Sequence, residues 1–410
     1  MTFVPGSVPI PSPLTSPLRG TAKETAALLP SHPVTIRQVR IPENFDDDAA
    51  ALLGEIADLV RRSRESVWGT ADLANDAADI FRDLHDPWER VVLLEAREGR
   101  KLVGRAEVRL PLVVETRSAQ IFLTVDPDHE TGGVGTELLA AAESVAQSEA
   151  RRTLIINSEH PGPQDLQGDG RIGSATGALP FVDSDAWITA ADGSGRLPIS
   201  NRQTRFARRF GYKLQTVSDI SRIVVPMDAS EHERLTGEVE AHPGAGDYRT
   251  HSWVGEAPEQ WLDSMATLHE RIPSDSFVPP RLWDPEPWDA ERVRRTEALR
   301  AENGDISFMT VIEHLPTGQL VGMTELVLPG PGAPLCFQDE TVVLREHRGK
   351  RLGLRQKLAN LDQLSAQAGS VESVYVWTHS GNARMNWVNR RLGAEVLGRS
   401  AVWTRRVGLE

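Results

Sequence analysis

The chain of 410 residues contains a single cysteine, Cys336. One cysteine cannot form an intramolecular disulfide framework or a cysteine-rich zinc site, and we expect neither. No apolar run is long enough to cross a bilayer, and the first residues lack the basic and apolar regions of a signal peptide. These absences predict a cytoplasmic protein with no metal and no membrane partner.

The sequence also lacks an excess of positive charge. Its 45 Lys and Arg residues are outnumbered by 58 Asp and Glu residues, which gives a net charge of -13. Because the phosphates of a nucleic acid require a basic surface, this balance argues against a nucleic-acid partner. A cationic substrate would also fit the charge, but we favour the interpretation that an acidic surface keeps the chain soluble.

One order of elements occurs twice: helices, three strands, a glycine-marked turn, a helix, a strand, a helix and a strand. This repeat predicts an α/β (α+β) fold with two tandem domains, each a mixed, mostly antiparallel sheet flanked by helices. We predict the domains at 34–228 and 248–410, with a linker at 229–247. Residues 1–33 are rich in Pro, Ser and Thr and predict a disordered or extended arm. A stretch rich in Gly, Pro, Asp and Ser predicts an insertion at 159–200.

A glycine-marked turn joins a strand to a helix in each half, TVDPDHETGGVGTELL in the first and VVLREHRGKRLGLRQKL in the second. Such a turn exposes N–H groups at the positive end of the helix dipole, a geometry that binds phosphate or pyrophosphate. Gly133 and Gly135 let the backbone approach a ligand closely, whereas Arg348, Lys350 and Arg351 add positive charge to the second turn. Ordinary strand-to-helix turns share these features, but matching positions in a repeated order favour a ligand site.

Both turns resemble the acetyl-CoA loop of the GNAT acetyltransferase superfamily, with its Arg/Gln-x-x-Gly-x-Gly/Ala pattern. The second half is similar beyond the loop, through QDETVVLREHRGKRLGLRQKLANL and WTHSGNARMNWVNRRLG, to actinobacterial tandem GNAT proteins of the mycothiol synthase-like group. The resemblance is strong over 248–410 and weak over 34–228. It implies acetyl-CoA as co-substrate and direct transfer of an acetyl group to a primary amine of a small molecule.

The resemblance also assigns residues to the cofactor. In the second half these are Val342, Val343, Leu344, Arg348, Gly349, Lys350, Arg351, Leu352, Gly353, Leu354 and Asn382. In the first half they are Val125, Gly133, Gly135 and Thr136. Glu130 stands where the family has Arg or Gln and would repel a pyrophosphate, whereas Arg348 is in place. Arg351 replaces the usual first glycine of the second turn. We therefore expect the better cofactor site in the second half.

A general base for the amine is predicted on the strand before the second turn, where Asp339 and Glu340 point to opposite faces. Glu340 is favoured because its longer side chain reaches a water more easily, although either carboxylate could instead cap a strand edge or pair with an arginine. The matching strand of the first half, SAQIFLTV, has no carboxylate, which favours catalysis in the second half. Asn389 and Ala207 replace the tyrosine acid of the family, but an alkyl thiolate with a pKa of about 8.5 leaves with little assistance.

Two other functions fit the same residues. The chain could be a non-catalytic CoA-binding regulatory or scaffold protein, or an acetyltransferase for peptide N-termini. GDGRIG at 168–173 lacks the flanking strand and helix of a dinucleotide site, so we interpret it as a loop. Cys336 is interpreted as a packed residue, and His347 and His379 as surface histidines. The oligomeric state is left open.

Overall fold

The computed structural model describes residues 34–113, 115–162, 186–275 and 287–408. The predicted N-terminal arm and the GDGRIG segment lie outside the described residues. None of the helices in the described ranges is long and apolar enough to span a bilayer.

The first half begins with a strand and a helix pair and then forms most of its sheet. Its elements are β1 (Val34–Val39), α1 (Asp47–Trp68), α2 (Ala77–Leu84), β2 (Glu89–Glu98), β3 (Lys101–Pro111), β4 (Ser118–Val125), α3 (Val134–Ser148), β5 (Thr153–Pro161), β6 (Trp187–Thr189), β7 (Arg196–Pro198), α4 (Arg202–Arg209) and β8 (Lys213–Val224). Because β5 extends to Pro161, residues 159–161 belong to a strand and not to the insertion predicted from residue 159.

A helix, α5 (Ala229–Glu240), lies in the predicted linker, and the second half then repeats the order of the first. Its elements are β9 (Tyr248–Val254), α6 (Leu262–Asp275), α7 (Ala290–Glu302), β10 (Ile306–His314), β11 (Gln319–Leu328), β12 (Leu335–Val343), α8 (Leu352–Gln367), β13 (Ser373–His379), α9 (Ala383–Arg391) and β14 (Glu395–Arg406). The mixed fold with helices flanking a sheet, predicted from the repeat, is confirmed.

Twelve strands form one continuous sheet in the order β1-β2-β3-β4-β5-β14-β8-β13-β12-β11-β10-β9. Neighbouring strands are antiparallel except for the pairs β4–β5 and β12–β13, which are parallel. The last strand of each half lies beside the fifth strand of the other, since β14 pairs with β5 and β8 pairs with β13. The two halves are therefore joined by a reciprocal exchange of their final strands.

Strand alternation determines which helices cover each face of the sheet. In β2, Val91 and Leu93 pack against α1 and α2, whereas Val92 and Leu94 belong to the core beneath α3. The second half has the same layers, with α6 and α7 on one face and α8 on the other. In each half, the glycine-marked turn leads into the helix that covers this second face, α3 in the first half and α8 in the second.

Candidate functional site

A cleft opens where β4 and β5 separate. These strands pair in parallel only from Ser118 and Thr153 to Ile121 and Ile156. Beyond that point β5 stays paired with β14 as far as Pro161, while the end of β4 remains beside β3. The gap holds a cavity of about 1110 Å³, which is large for a ligand pocket. The separation of the strands therefore makes a ligand-sized cleft at the centre of the first half.

The glycine turn forms one end of this cleft. Thr131 and Gly133 adopt left-handed backbone conformations, with φ of 66° and 95°, and Gly133 is the N-cap of α3. No side chain caps this helix start, and its first residues line the cavity, so the positive end of the helix dipole lies at this end of the cleft. A Cβ on Gly135 would lie 3.6 Å from Val125 and 3.5 Å from the Phe206 ring. The predicted first-half residues Val125, Gly133, Gly135 and Thr136 all line the cavity.

Helix α4 supplies positive charge to the same end. Asn201 starts this helix, because its side-chain oxygen accepts hydrogen bonds from the N–H groups of Gln203 and Thr204. Arg202 forms an ion pair with Glu130, so the carboxylate expected to repel a pyrophosphate is neutralised. Three α4 arginines line the cavity: Arg202, Arg205 and Arg209. Sequence reasoning missed them, although their spacing gives the helix a basic face.

A carboxylate and two arginines form the opposite end of the cleft. Glu159 on β5 lies 3.3 Å from the Arg64 guanidinium of α1, and Arg105 of β3 lines the cavity beside them. Burial raises the pKa of the Glu159 carboxyl above its ordinary value, against the opposing effects of Arg64 and Arg105. Glu159 is thus placed as a candidate base on the strand after the turn. Glu159 is not among the predicted site residues, because the predicted insertion begins at this residue.

A buried hydrogen-bond chain ties the β5 wall of the cleft to α4 and to the second half. The Trp403 indole of β14 donates to the Ser158 hydroxyl over 2.8 Å, and that hydroxyl lies 2.7 Å from His160 Nε2. His160 Nδ1 lies 2.9 Å from the Asn201 side-chain oxygen. That oxygen accepts backbone N–H bonds, so Nδ1 carries the proton and Nε2 accepts from Ser158. Burial lowers the pKa of His160 to about 4, which keeps the ring neutral.

Comparison with known proteins finds a family similar to part of this half. Residues 53–161, which include β4, the turn, α3 and all of β5, match the model of the acetyltransferase (GNAT) family. This segment of the first half is thus similar to the GNAT acetyltransferase family. The match lies in the half for which the sequence resemblance is weaker. Acyl transfer is the chemistry of this family, whose members use acetyl-CoA and an acceptor substrate.

Two solved structures are similar to nearly the whole chain. A tandem GNAT protein from the clavulanic acid biosynthesis pathway is 22% identical with a TM-score of 0.62, covering 92% of this chain and 100% of its own. A GCN5-related N-acetyltransferase from Sphaerobacter thermophilus is 17% identical with a TM-score of 0.57, covering 93% and 98%. These likenesses establish the GNAT fold and support two domains. No curated protein matches the chain.

The second half has a related turn, but its cations have protein partners. Gly349 and Arg351 adopt the left-handed conformations that Thr131 and Gly133 adopt in the first turn. The Arg348 Nε donates to the Val343 carbonyl over 2.9 Å, and the Lys350 ammonium donates to the Tyr248 hydroxyl over 2.7 Å. Gly353 follows in the first turn of α8. The backbone of the predicted loop is therefore present in both halves.

A carboxylate from α5 meets the start of α8. Glu238 forms ion pairs with Arg351, the N-cap residue of α8, and with Arg391 of α9. Both guanidinium groups also lie over the Trp387 ring, at 5.5 and 5.6 Å from its centroid. A protein carboxylate is an anion, and it occupies the positive neighbourhood that a phosphate turn offers to a ligand. Glu238 thus neutralises cations beside the second turn, although the start of α8, like that of α3, has no side-chain cap.

The two carboxylates predicted to act as base in the second half also have partners. Asp339 forms an ion pair with Arg300, which lies 3.1 Å from the buried Glu325. Glu340 lies 2.8 Å from Nδ1 of His269, whose ring stacks on Trp288 with 4.0 Å between centroids. Asp339 therefore adopts the arginine-paired alternative, whereas Glu340 forms a carboxylate–histidine contact on the face covered by α6 and α7.

Other predicted cofactor residues of the second half also make contacts within the fold. The Val342 carbonyl accepts from Gln356 over 3.2 Å, and the Leu344 N–H donates to the Val321 carbonyl. Leu352 and Leu354 are buried in the core. The Asn382 side chain accepts from the N–H of Met385 over 3.1 Å and caps α9.

A buried lysine contacts the residue at the position predicted for the family's tyrosine acid. Asn389, the residue at that position, accepts a hydrogen bond from the Lys357 ammonium over 2.8 Å and donates to the Thr378 hydroxyl over 2.9 Å. Burial lowers the pKa of Lys357 to about 7. In the first half the position holds Ala207, which is buried in the core and cannot donate a proton.

Proposed function

We propose that the chain is an acetyl-CoA-dependent N-acyltransferase that transfers an acetyl group directly to a primary amine of a small molecule. We place the working site in the cleft between β4 and β5. One observation carries the proposal: the same cavity has an uncapped helix start with a glycine turn at one end and a carboxylate of raised pKa at the other. The first end suits the phosphates of a cofactor and the second suits proton removal.

The phosphate end would hold acetyl-CoA through backbone and arginines. The first residues of α3 line the cavity, and Arg205 and Arg209 add charge that the turn itself lacks. The cleft side of β4 near Val125 is not paired with β5, so its backbone groups are available to an extended pantetheine chain. These residues supply the binding energy that positions the thioester in the gap between the strands.

The chemistry at the other end requires a neutral amine next to the thioester carbonyl. Glu159 would take the amine proton, directly or through a water, because burial makes its carboxylate more basic than usual. As the N–C bond forms, the C–S bond breaks and the thiolate leaves. No side-chain acid replaces the tyrosine at Ala207, and a thiolate needs little help to leave.

The predictions for the second half remain a second candidate. A cofactor site there would use Val342, Val343, Leu344, Arg348 to Leu354 and Asn382, with Glu340 or Asp339 as base. Closer kinship with actinobacterial, mycothiol synthase-like proteins and a cytoplasmic location also remain proposals. The interactions of Arg351 with Glu238 and of Asp339 with Arg300 favour the first cleft over this site.

Calorimetric titration of acetyl-CoA into matched charge variants tests the assignment. We expect Gly133→Glu to abolish binding, because it places a carboxylate and a Cβ in a left-handed position at the phosphate end. Arg348→Glu, the matched change in the second turn, should leave the dissociation constant within about twofold of wild type. The reverse pattern would move the working site to the second half. If the wild type does not bind acetyl-CoA, the proposal is wrong.

Turnover separates the enzyme from its two alternatives. Release of CoA thiol with a small primary amine supports the proposed function. Binding without thiol release under any amine indicates the non-catalytic CoA-binding protein, and release only with peptides indicates the peptide N-terminal acetyltransferase. Both alternatives keep the same cofactor cleft, so only the acceptor arm of the assay distinguishes them.

A further inference from the structure

Two arginines line the cleft together with Glu159. Arg64 comes from α1 and Arg105 from β3, and both line the same cavity as Glu159. The side chains retain 25%, 13% and 34% of their exposure, respectively, so all three are partly screened from solvent yet reachable from the cavity. The role of Glu159 as base does not explain why two guanidinium groups line the same part of the cavity.

Arg64 is held in one orientation. One of its terminal nitrogens donates to the Leu73 carbonyl, and its guanidinium lies over the Trp68 ring at 5.6 Å from the centroid. Its Nε lies 3.3 Å from Glu159. Fixing a guanidinium before a ligand arrives removes most of the ordering cost that binding would otherwise include. The side chain is therefore a preorganised cation at the edge of the acceptor space.

Arg105 has less compensation for its charge. One terminal nitrogen donates to Glu107 over 2.9 Å, but Glu107 also pairs with Arg109 and is shared between two cations. Its buried Nε has no hydrogen-bond partner among the described residues. Burial lowers the pKa of Arg105, and the positive charge of Arg64 adds to that effect against Glu107. A buried cation in this position gains most from an additional anion.

We propose that the acceptor amine carries an anionic group, a carboxylate or a phosphate, that binds between Arg64 and Arg105 while its amine faces Glu159. The inference rests on the proposed function and names its substrate class. During transfer the amine proton goes to Glu159, the N–C bond forms and the C–S bond breaks. The anionic group takes no part in the reaction and stays paired with the two arginines.

Matched acceptors test the inference through release of CoA thiol at saturating acetyl-CoA. The acids are the twenty L-amino acids, each compared with its primary amide, and the phosphate arm compares O-phosphoethanolamine with ethanolamine. We expect at least one anionic acceptor to exceed its uncharged partner by about 100-fold in kcat/KM, because the uncharged partner leaves buried cations unpaired. Which arm responds decides between carboxylate and phosphate.

Arginine variants then locate the effect. Arg105→Gln and Arg64→Gln should each raise KM for the anionic acceptor by about 10- to 100-fold, so that the preference in kcat/KM for the anionic acceptor over its uncharged partner falls by the same factor. Arg105→Lys keeps the charge and should recover part of the loss. Arg61→Gln changes an exposed arginine of the same helix, paired with Asp58, and is the control. Acetyl-CoA affinity and the melting temperature verify that each variant is folded.

Three outcomes would overturn the inference. The first is turnover of amides and ethanolamine as fast as of the acids. The second is turnover of no anionic acceptor by an enzyme that binds acetyl-CoA, and the third is an equal loss for charged and uncharged acceptors in folded Arg105→Gln. A wild type that fails to bind acetyl-CoA instead removes the proposed function, and the inference with it.

Discussion

At the scale of single residues, Glu159 carries the sharpest prediction. Glu159→Gln should lower kcat by about 100-fold or more while acetyl-CoA affinity stays unchanged, since the amide cannot take a proton. Glu149→Gln, an exposed carboxylate paired with Arg90, is the matched control. Stopped-flow or steady-state thiol release measures the effect. Equal activity of both variants would exclude Glu159 as base.

The pH profile of the same pair separates a base from a merely structural carboxylate. Wild-type activity requires both the acceptor amine and Glu159 to be deprotonated, so kcat/KM should fall as pH drops through the raised pKa of Glu159. Below that pKa the slope of log kcat/KM against pH should be about two in the wild type and about one in Glu159→Gln. An unchanged slope would contradict the proton-transfer role.

The residues show which parts of the site the sequence could predict. The glycine turn was predictable from the sequence, because the left-handed conformation of Gly133 favours glycine whatever surrounds it. Glu159 was not, because its role depends on β5 continuing past Asn157 and on Arg64 arriving from a distant helix. Glu130 was predicted to repel a phosphate, and its neutralisation by Arg202 depends on a contact across 72 residues.

At the scale of elements, α5 is a linker helix whose Glu238 pairs with Arg351 at the second turn and with Arg391 of α9. Glu238→Ala should lower the melting temperature, because it leaves Arg351 and Arg391 without their carboxylate. Added inorganic pyrophosphate should recover stability in this variant by more than in the wild type, because the freed cations accept an anion. Differential scanning calorimetry with and without pyrophosphate measures both effects.

A neighbouring variant provides the control for this helix. Glu233→Ala removes an exposed carboxylate of α5 and should change neither the melting temperature nor its response to pyrophosphate. If Glu238→Ala behaves like Glu233→Ala, the second turn does not depend on Glu238. Local patterns predicted helical content in this linker, but not that one of its carboxylates would complete the following domain.

At the scale of the whole molecule, local periodicity predicted the elements of both halves but not how the halves join. Each half contains its own hairpins, because β2 and β3, like β10 and β11, are close in sequence and their alternation is visible. The pairing of β5 with β14 joins residues about 240 positions apart, and no local pattern encodes it. The domain limits 34–228 and 248–410 therefore remain a prediction. In the structure, the fifth strand of each half has one neighbouring strand from the other half.

Dividing the chain tests this dependence. Residues 34–247 expressed alone should fail to fold, because β5 loses its antiparallel neighbour β14 and keeps only its short pairing with β4, and Ser158 loses the Trp403 indole. Co-expression with residues 248–408 should restore a soluble complex that binds acetyl-CoA. Circular dichroism, size-exclusion chromatography and calorimetry measure these outcomes. A first fragment that folds and binds acetyl-CoA alone would contradict the prediction, and the intact chain is the control.

The exchange of β8 and β14 also has a consequence for synthesis on the ribosome. Domains commonly fold one after another as the chain emerges, but the wall of the first cleft waits for a strand that is translated after nearly all of the second half. Until β14 has been synthesised, one edge of β5 is unpaired and can form non-native pairs with other strands. The first half therefore needs a strand of the second half to complete its sheet. This need would preserve the second half in evolution even if the second half performs no chemistry.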